Sequence, residues 1–122
     1  MIRTETLLTV ADVRKSAEWY IKLLNCKPIH GGDTYEILID TDGTVILCLH
    51  KLGEQAQANL NTGIKPANRL IILFRVTNLM GIWKNAKLLK ATIEIPLHLN
   101  EKSGREEFSL LDRDGYYISI TT

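Results

Sequence analysis

The sequence repeats itself, and this repeat constrains the fold more than any other feature. The segment LIDTDGTVI (38–46) aligns with LLDRDGYYI (110–118) at an offset of 72 residues. Residues 10–13 align with residues 76–79 at an offset of 66, and the six extra residues fit the longer LNEKSG loop of the second half. Similarity at a fixed spacing indicates a duplicated unit. The chain is therefore predicted to contain two copies of one module.

The first module is predicted to run over about residues 2–52. Alternating residues in TETLLTV predict a strand, and Asp12 is a good N-cap for the amphipathic helix that follows, which we expect to end at Asn25. The segments YEILID and TVILCLH flank Asp42-Gly43, a strong hairpin signal. This order of elements predicts a module of one strand, one helix and three further strands.

The second module, about residues 69–122, has the same order. LIILFRV predicts a strand, the next apolar stripe predicts a helix, and ATIEIPLHL and EFSLLDRDGYYISI predict the last three strands. The segment 53–68 is rich in Gly, Asn, Gln and Ala and is predicted to connect the modules within one domain, where it could cover a site.

Composition and charge exclude several classes of function. The 122 residues carry a net charge of +1 without a basic stripe, which argues against a nucleic-acid partner. No signal peptide and no run of about eighteen apolar residues is present, so we expect a cytoplasmic protein without a membrane partner. The two cysteines, Cys26 and Cys48, lack CxxC spacing and are predicted to be reduced, largely buried thiols.

The opening LLTVADVRKSAEWYIKLLN, the second strand-to-helix turn at Val76-Thr77-Asn78 and the ending FSLLDRDGYYISI resemble the vicinal oxygen chelate superfamily. That superfamily includes glyoxalase I, fosfomycin-modifying enzymes, extradiol dioxygenases and bleomycin-resistance binding proteins. The resemblance implies an α+β fold of two βαβββ modules. Their mixed sheets would curl into a cup with the helices outside, commonly within a homodimer.

The resemblance also implies four positions for the ligands of a divalent metal. Carried over to this sequence, these positions are Glu5, Leu47, Ile71 and Ser119, of which Glu5 alone is a competent ligand. We therefore expect no metal and no other cofactor, and classical lyase or dioxygenase activity is in doubt. Ser119 has no His and Asp placed to activate it and is interpreted as a small polar residue that leaves room in the cup.

Strand alternation assigns the remaining residues of the cup face. With Glu5 taken as inward, the candidate ligand-binding residues are Glu5, Leu7, Thr9, Leu47, Leu49, Ile71, Leu73, Arg75, Tyr117, Ser119 and Thr121. The alternate residues, Ile46 and Cys48 among them, would lie under the helices. A mostly apolar face with few polar groups is typical of a small-molecule site, although Glu5 and Arg75 could equally be solvated or paired.

Three functions remain open. The first is a metal-independent small-molecule binding protein similar to the bleomycin-resistance branch, with an unidentified ligand. The second is a metalloenzyme of the glyoxalase or dioxygenase type with displaced ligands. The third is a partner-binding module whose cup is filled by its own side chains.

The other polar motifs add little. His30, His50 and His98 lack the spacing of a ligand pair, and the repeat places His50 on the helix side of its sheet. The two D-x-D-G sequences lack the closing Glu of a calcium loop and are predicted to be hairpin turns.

Overall fold

The computed structural model describes residues 1–53 and 70–122 and divides the chain into two compact units, Met1–Ile64 and Lys65–Thr122. The predicted connection therefore lies outside the described residues except for Gly53. Each unit is a mixed four-stranded sheet with a helix packed on it, as the sequence predicts.

The first unit contains β1 (Leu7–Val10), α1 (Val13–Leu24), β2 (Lys27–Pro28), β3 (Tyr35–Ile39) and β4 (Val45–Lys51). The strand order is β1-β4-β3-β2, with β1 parallel to β4 and the other neighbours antiparallel.

The predicted ends of α1 are confirmed. The Asp12 carboxylate accepts a hydrogen bond from the backbone N–H of Lys15 at 3.0 Å, as an N-cap does. Asn25 closes the helix in the left-handed conformation, with φ of 57°.

The second unit contains β5 (Ile71–Arg75), α2 (Leu79–Leu88), β6 (Thr92–Asn100), β7 (Arg105–Leu111) and β8 (Tyr117–Thr121). Its order, β5-β8-β7-β6, repeats that of the first unit strand for strand. Asn78 caps α2 by accepting from Gly81 N–H at 3.0 Å, and both Asp-Gly turns have a glycine at positive φ, Gly43 and Gly115.

Each helix covers one face of its own sheet, and the apolar side chains of that face are buried. In the first unit, the strand residues of this helix face are Leu8, Val10, Leu38, Leu47 and Leu49. In the second unit, the buried strand residues of this face are Ile72, Phe108, Leu110, Ile118 and Ile120. The Trp83 ring of α2 meets Phe108 edge to face, with ring centroids 4.9 Å apart, which marks the helix side of the second sheet.

Two of the residues predicted to face the cup lie on the helix face of the first sheet instead. Leu47 and Leu49 are 0% exposed and lie on the helix face, because the ladder between β3 and β4 contains a bulge. Ile39 pairs with Val45 but Leu38 pairs with Leu47, so Ile46 is an extra residue in β4. One extra residue reverses every later side chain in the strand.

The described residues contain no helix that is long and apolar enough to cross a membrane.

Candidate functional site

The face of the first sheet opposite α1 carries Leu7 and Thr9, as predicted, and Glu5 precedes β1 near Cys48. Cys48 and His50 take the places on this face that were expected for Leu47 and Leu49. Leu7 pairs with Cys48 and Thr9 with His50 in the parallel ladder, so their side chains share this face. Burial and the nearby charge of Glu5 both raise the pKa of the Cys48 thiol. The prediction that His50 lies on the helix side is therefore wrong.

The polar groups of this first face are spread out and exposed. Glu5 borders an open depression of about 600 Å³ formed with Arg3, Thr4 and the 42–45 turn. The His50 ring lies 5.7 Å from that of Tyr35, centroid to centroid. The other thiol, Cys26, belongs to the core, where burial raises its pKa to about 11, so neither cysteine is an activated nucleophile.

The helix-free face of the second sheet carries its polar and apolar side chains in regular rows. Strand pairing aligns the residues of this face into rows that cross the four strands in the order β5, β8, β7, β6. The charged row is Arg75, Thr121, Glu107 and His98. The middle row is Leu73, Ser119, Ser109 and Ile95, and the apolar row is Ile71, Tyr117, Leu111 and Thr92.

All six residues predicted for this second face lie on it: Ile71, Leu73, Arg75, Tyr117, Ser119 and Thr121. Small hydroxyl residues occupy the centre, where Ser109 and Thr121 are buried. Larger side chains flank them, and Ile71 and Leu73 on β5 are each 54% exposed. The face therefore has apolar and polar groups at fixed positions, which is the composition of a ligand-recognition surface.

Glu107 is the acid of the charged row, and two neighbouring side chains hold it in position. Its Oε1 accepts a hydrogen bond from Asn100 Nδ2 at 2.9 Å and lies 3.4 Å from His98 Nε2. The His98 and Glu107 side chains are 38% and 21% exposed. The carboxylate is thus oriented by protein contacts and still reaches solvent.

The position of His98 depends on irregular pairing in β6. Glu94 is an extra residue between the Ile93–Leu110 and Ile95–Ser109 pairs, and a second shift precedes the His98–Glu107 pair. Pro96 lies within that second shift, where a residue without N–H is tolerated, and its carbonyl oxygen lies 2.8 Å from His98 Nδ1. The bulges break the simple alternation and turn His98 towards Glu107.

Sequence reasoning missed Glu107, Ser109, Asn100 and His98 as residues of this face. The alternation of EFSLL could have identified Glu107 and Ser109, because Phe108 and Leu110 between them are the buried pair. No sequence signal could have identified His98, since its orientation follows from the bulges.

Comparison with known proteins agrees with this architecture. The family model of the Glyoxalase/Bleomycin resistance protein/Dioxygenase superfamily matches residues 4–120. No curated protein matches the chain.

Several solved structures share the fold at low sequence identity. A protein of unknown function from Agrobacterium tumefaciens superposes with a TM-score of 0.75 and 16% identity, covering 99% of this chain and 93% of that one. A possible glyoxalase from Bacillus cereus gives 0.69 and 21%, covering 100% and 99%. A fosfomycin resistance protein from Listeria monocytogenes gives 0.69 and 15%, covering 99% and 93%.

Two βαβββ units, each with an open polar and apolar sheet face, define a protein of the vicinal oxygen chelate class. The chain belongs to the Glyoxalase/Bleomycin resistance protein/Dioxygenase superfamily.

The divalent metal of that superfamily does not fit the residues present here. At the four implied positions stand Glu5, Ile71, Ser119 and Leu47, and the bulge replaces Leu47 by Cys48 on the helix-free face. Within residues 1–53 and 70–122, no three His, Cys, Asp or Glu side chains gather closely enough to hold a metal ion. A catalytic zinc takes three protein ligands, and the implied positions of this chain do not supply them.

Proposed function

We propose that the protein binds a small organic molecule on the helix-free face of the second sheet and does so without a metal, in the manner of the bleomycin-resistance branch of its family. The observation that carries this proposal is the exposed Leu73 and Ile71 beside ordered hydroxyl and charged groups on one face. Apolar contact would supply affinity and the few polar groups would orient the ligand.

The alternative, a metal-dependent glyoxalase or dioxygenase with displaced ligands, rests on Glu5 beside Cys48. These two side chains supply two donors, which is fewer than a catalytic site uses. The binding role is therefore the better supported of the two.

We also propose that the protein is a cytoplasmic homodimer. Two free cysteines fit a reducing compartment. Two-fold dimers are the commonest assemblies among soluble homo-oligomers.

Native mass spectrometry of protein purified without chelator or nickel resin tests the binding role. We expect the wild type to retain an organic mass. Leu73→Arg, which places a charge among the apolar contacts, is expected to reduce this retention by about tenfold. Leu88→Arg is the matched control, because Leu88 is 73% exposed but lies on α2.

Retention of the same mass by Leu73→Arg would contradict the proposed location. A wild-type protein that carries one metal per chain and no organic mass would contradict the proposed function and favour the metalloenzyme. Circular dichroism of both variants confirms that each one is folded, and the mass of the intact assembly gives the oligomeric state.

A further inference from the structure

We propose that the ligand is a zwitterion with an apolar side group, such as an amino acid or a short peptide; this inference rests on the proposed function. The charged row carries Arg75 at one end and Glu107 two strands away, with Thr121 between them. Two opposite charges on one face select a ligand that carries both charges in the reverse order.

The spacing of the row fits such a ligand. Neighbouring strands lie about 4.8 Å apart, so the backbones at Arg75 and Glu107 are separated by about 10 Å. A hydrogen bond of about 3 Å at each end leaves about 4 Å between the opposite charges of the ligand. This separation is close to that in an amino acid, and the flexible Arg75 side chain extends the range to a dipeptide.

Glu107 forms the ammonium end, and His98 helps to orient its carboxylate. The Pro96 carbonyl can only accept a hydrogen bond, so His98 Nδ1, 2.8 Å away, carries a proton. His98 Nε2 lies 3.4 Å from Glu107 Oε1, so the ring helps to hold that oxygen in place. A carboxylate accepts hydrogen bonds and an ammonium has three N–H donors. The contacts of this carboxylate with Asn100 and His98 both use Oε1, which leaves Oε2 for the ligand.

Arg75 forms the carboxylate end. It is exposed, and none of the ion pairs among the described residues involves it. A guanidinium binds a carboxylate with two parallel hydrogen bonds, a geometry that a neutral amide or ester does not match.

The middle row supplies the contact for the apolar side group. It lies two residues along the strands from the charged row, about 6.8 Å away, and carries Leu73 and Ile95 at its two ends. A leucine or phenylalanine side chain of the ligand spans that distance. The central Ser119 is small and only partly buried, and it leaves room for this group.

Calorimetric titration with L-leucyl-L-phenylalanine tests the inference. Its N-acetyl derivative lacks the ammonium and its C-terminal amide lacks the carboxylate. We expect the free dipeptide to bind at least about tenfold more tightly than either derivative. Glu107→Gln should remove the difference between the dipeptide and its N-acetyl form, and Arg75→Ala should remove the difference between the dipeptide and its amide.

Glu106→Gln and Arg113→Ala are the matched controls, because both residues are exposed and lie outside the charged row. Equal binding of the three peptides, or equal effects of the row variants and the controls, would overturn the inference. If none of the three peptides binds while the purified protein retains an organic mass, the proposal of a zwitterionic ligand is overturned but the binding role stands. Failure of the peptides together with the absence of any retained mass would overturn both.

Discussion

At the scale of single residues, Glu36 shows how a buried charge can serve the fold. It is 3% exposed on the helix face of the first sheet. Its Oε1 accepts from the backbone N–H groups of Ile29, His30 and Ile37 at 3.2, 2.7 and 3.0 Å. Its Oε2 accepts from Gly31 N–H. Burial alone raises the pKa of Glu36, but the four N–H donors outweigh it and hold the pKa below its ordinary value.

We predict that Glu36→Gln lowers the free energy of unfolding by about 1–3 kcal/mol at neutral pH. The amide keeps one acceptor oxygen, but its NH₂ group meets the Gly31 N–H. Because the folded pKa is depressed, the stability from the carboxylate is present above the unfolded pKa and is lost as pH falls through the folded pKa.

Urea unfolding of wild type and variant at several pH values measures this effect. The two free energies of unfolding should converge at low pH. Glu18→Gln is the control, because Glu18 is exposed on α1 and forms a solvent-exposed ion pair with Lys22. If the difference in free energy of unfolding between wild type and Glu36→Gln is the same in acid as at neutral pH, the role of the carboxylate charge is contradicted.

At the scale of elements, bulges decide which side chains can meet a ligand. The run Val45–Leu49 is apolar throughout, so its sequence contains no alternation that could reveal the extra residue at Ile46. The hairpin turns repeat at an offset of 72, but beyond the bulge Cys48 corresponds to Ser119, an offset of 71. In the second hairpin the pairing of β7 with β8 is regular, and there the predicted face is right.

The register of β4 predicts which of two neighbouring substitutions lowers the free energy of unfolding more. Leu49→Ala should lower the free energy of unfolding by about 2–5 kcal/mol, because it leaves a cavity under α1. Cys48→Ala, one residue away on the opposite face, should cost under about 1 kcal/mol. Urea unfolding of the two variants gives both values. The reverse order would mean that β4 has the alternation expected from the sequence and that Leu49 faces away from the helix.

At the scale of the whole molecule, the duplication makes the fold predictable and the chemistry less so. The order of elements, the capping residues of α1 and both hairpin turns follow from local patterns that occur twice. The two-residue β2 strand has no such signal. The charged row is predicted only in part: Arg75 and Thr121 follow from strand alternation, but Glu107 and His98 join their row only when β5 to β8 pair in the observed register.

The two units have also diverged in the face that each leaves uncovered. The first has Cys48 on its helix-free face with Glu5 near it, and the second has the three rows with Ile71 and Ser119 at the implied metal positions. A duplicated scaffold has thus kept its cores while its open faces changed, which is consistent with one fold serving several activities.

Metal stoichiometry tests most directly whether this member of the family binds its ligand without a metal. Purified protein would be dialysed separately against micromolar zinc, nickel and manganese, and the metal retained per chain would be counted by elemental mass spectrometry. We predict far less than one equivalent of each metal, with the same result for Glu5→Gln. One tightly held equivalent in the wild type that Glu5→Gln releases would contradict it and would assign Glu5 to a metal centre.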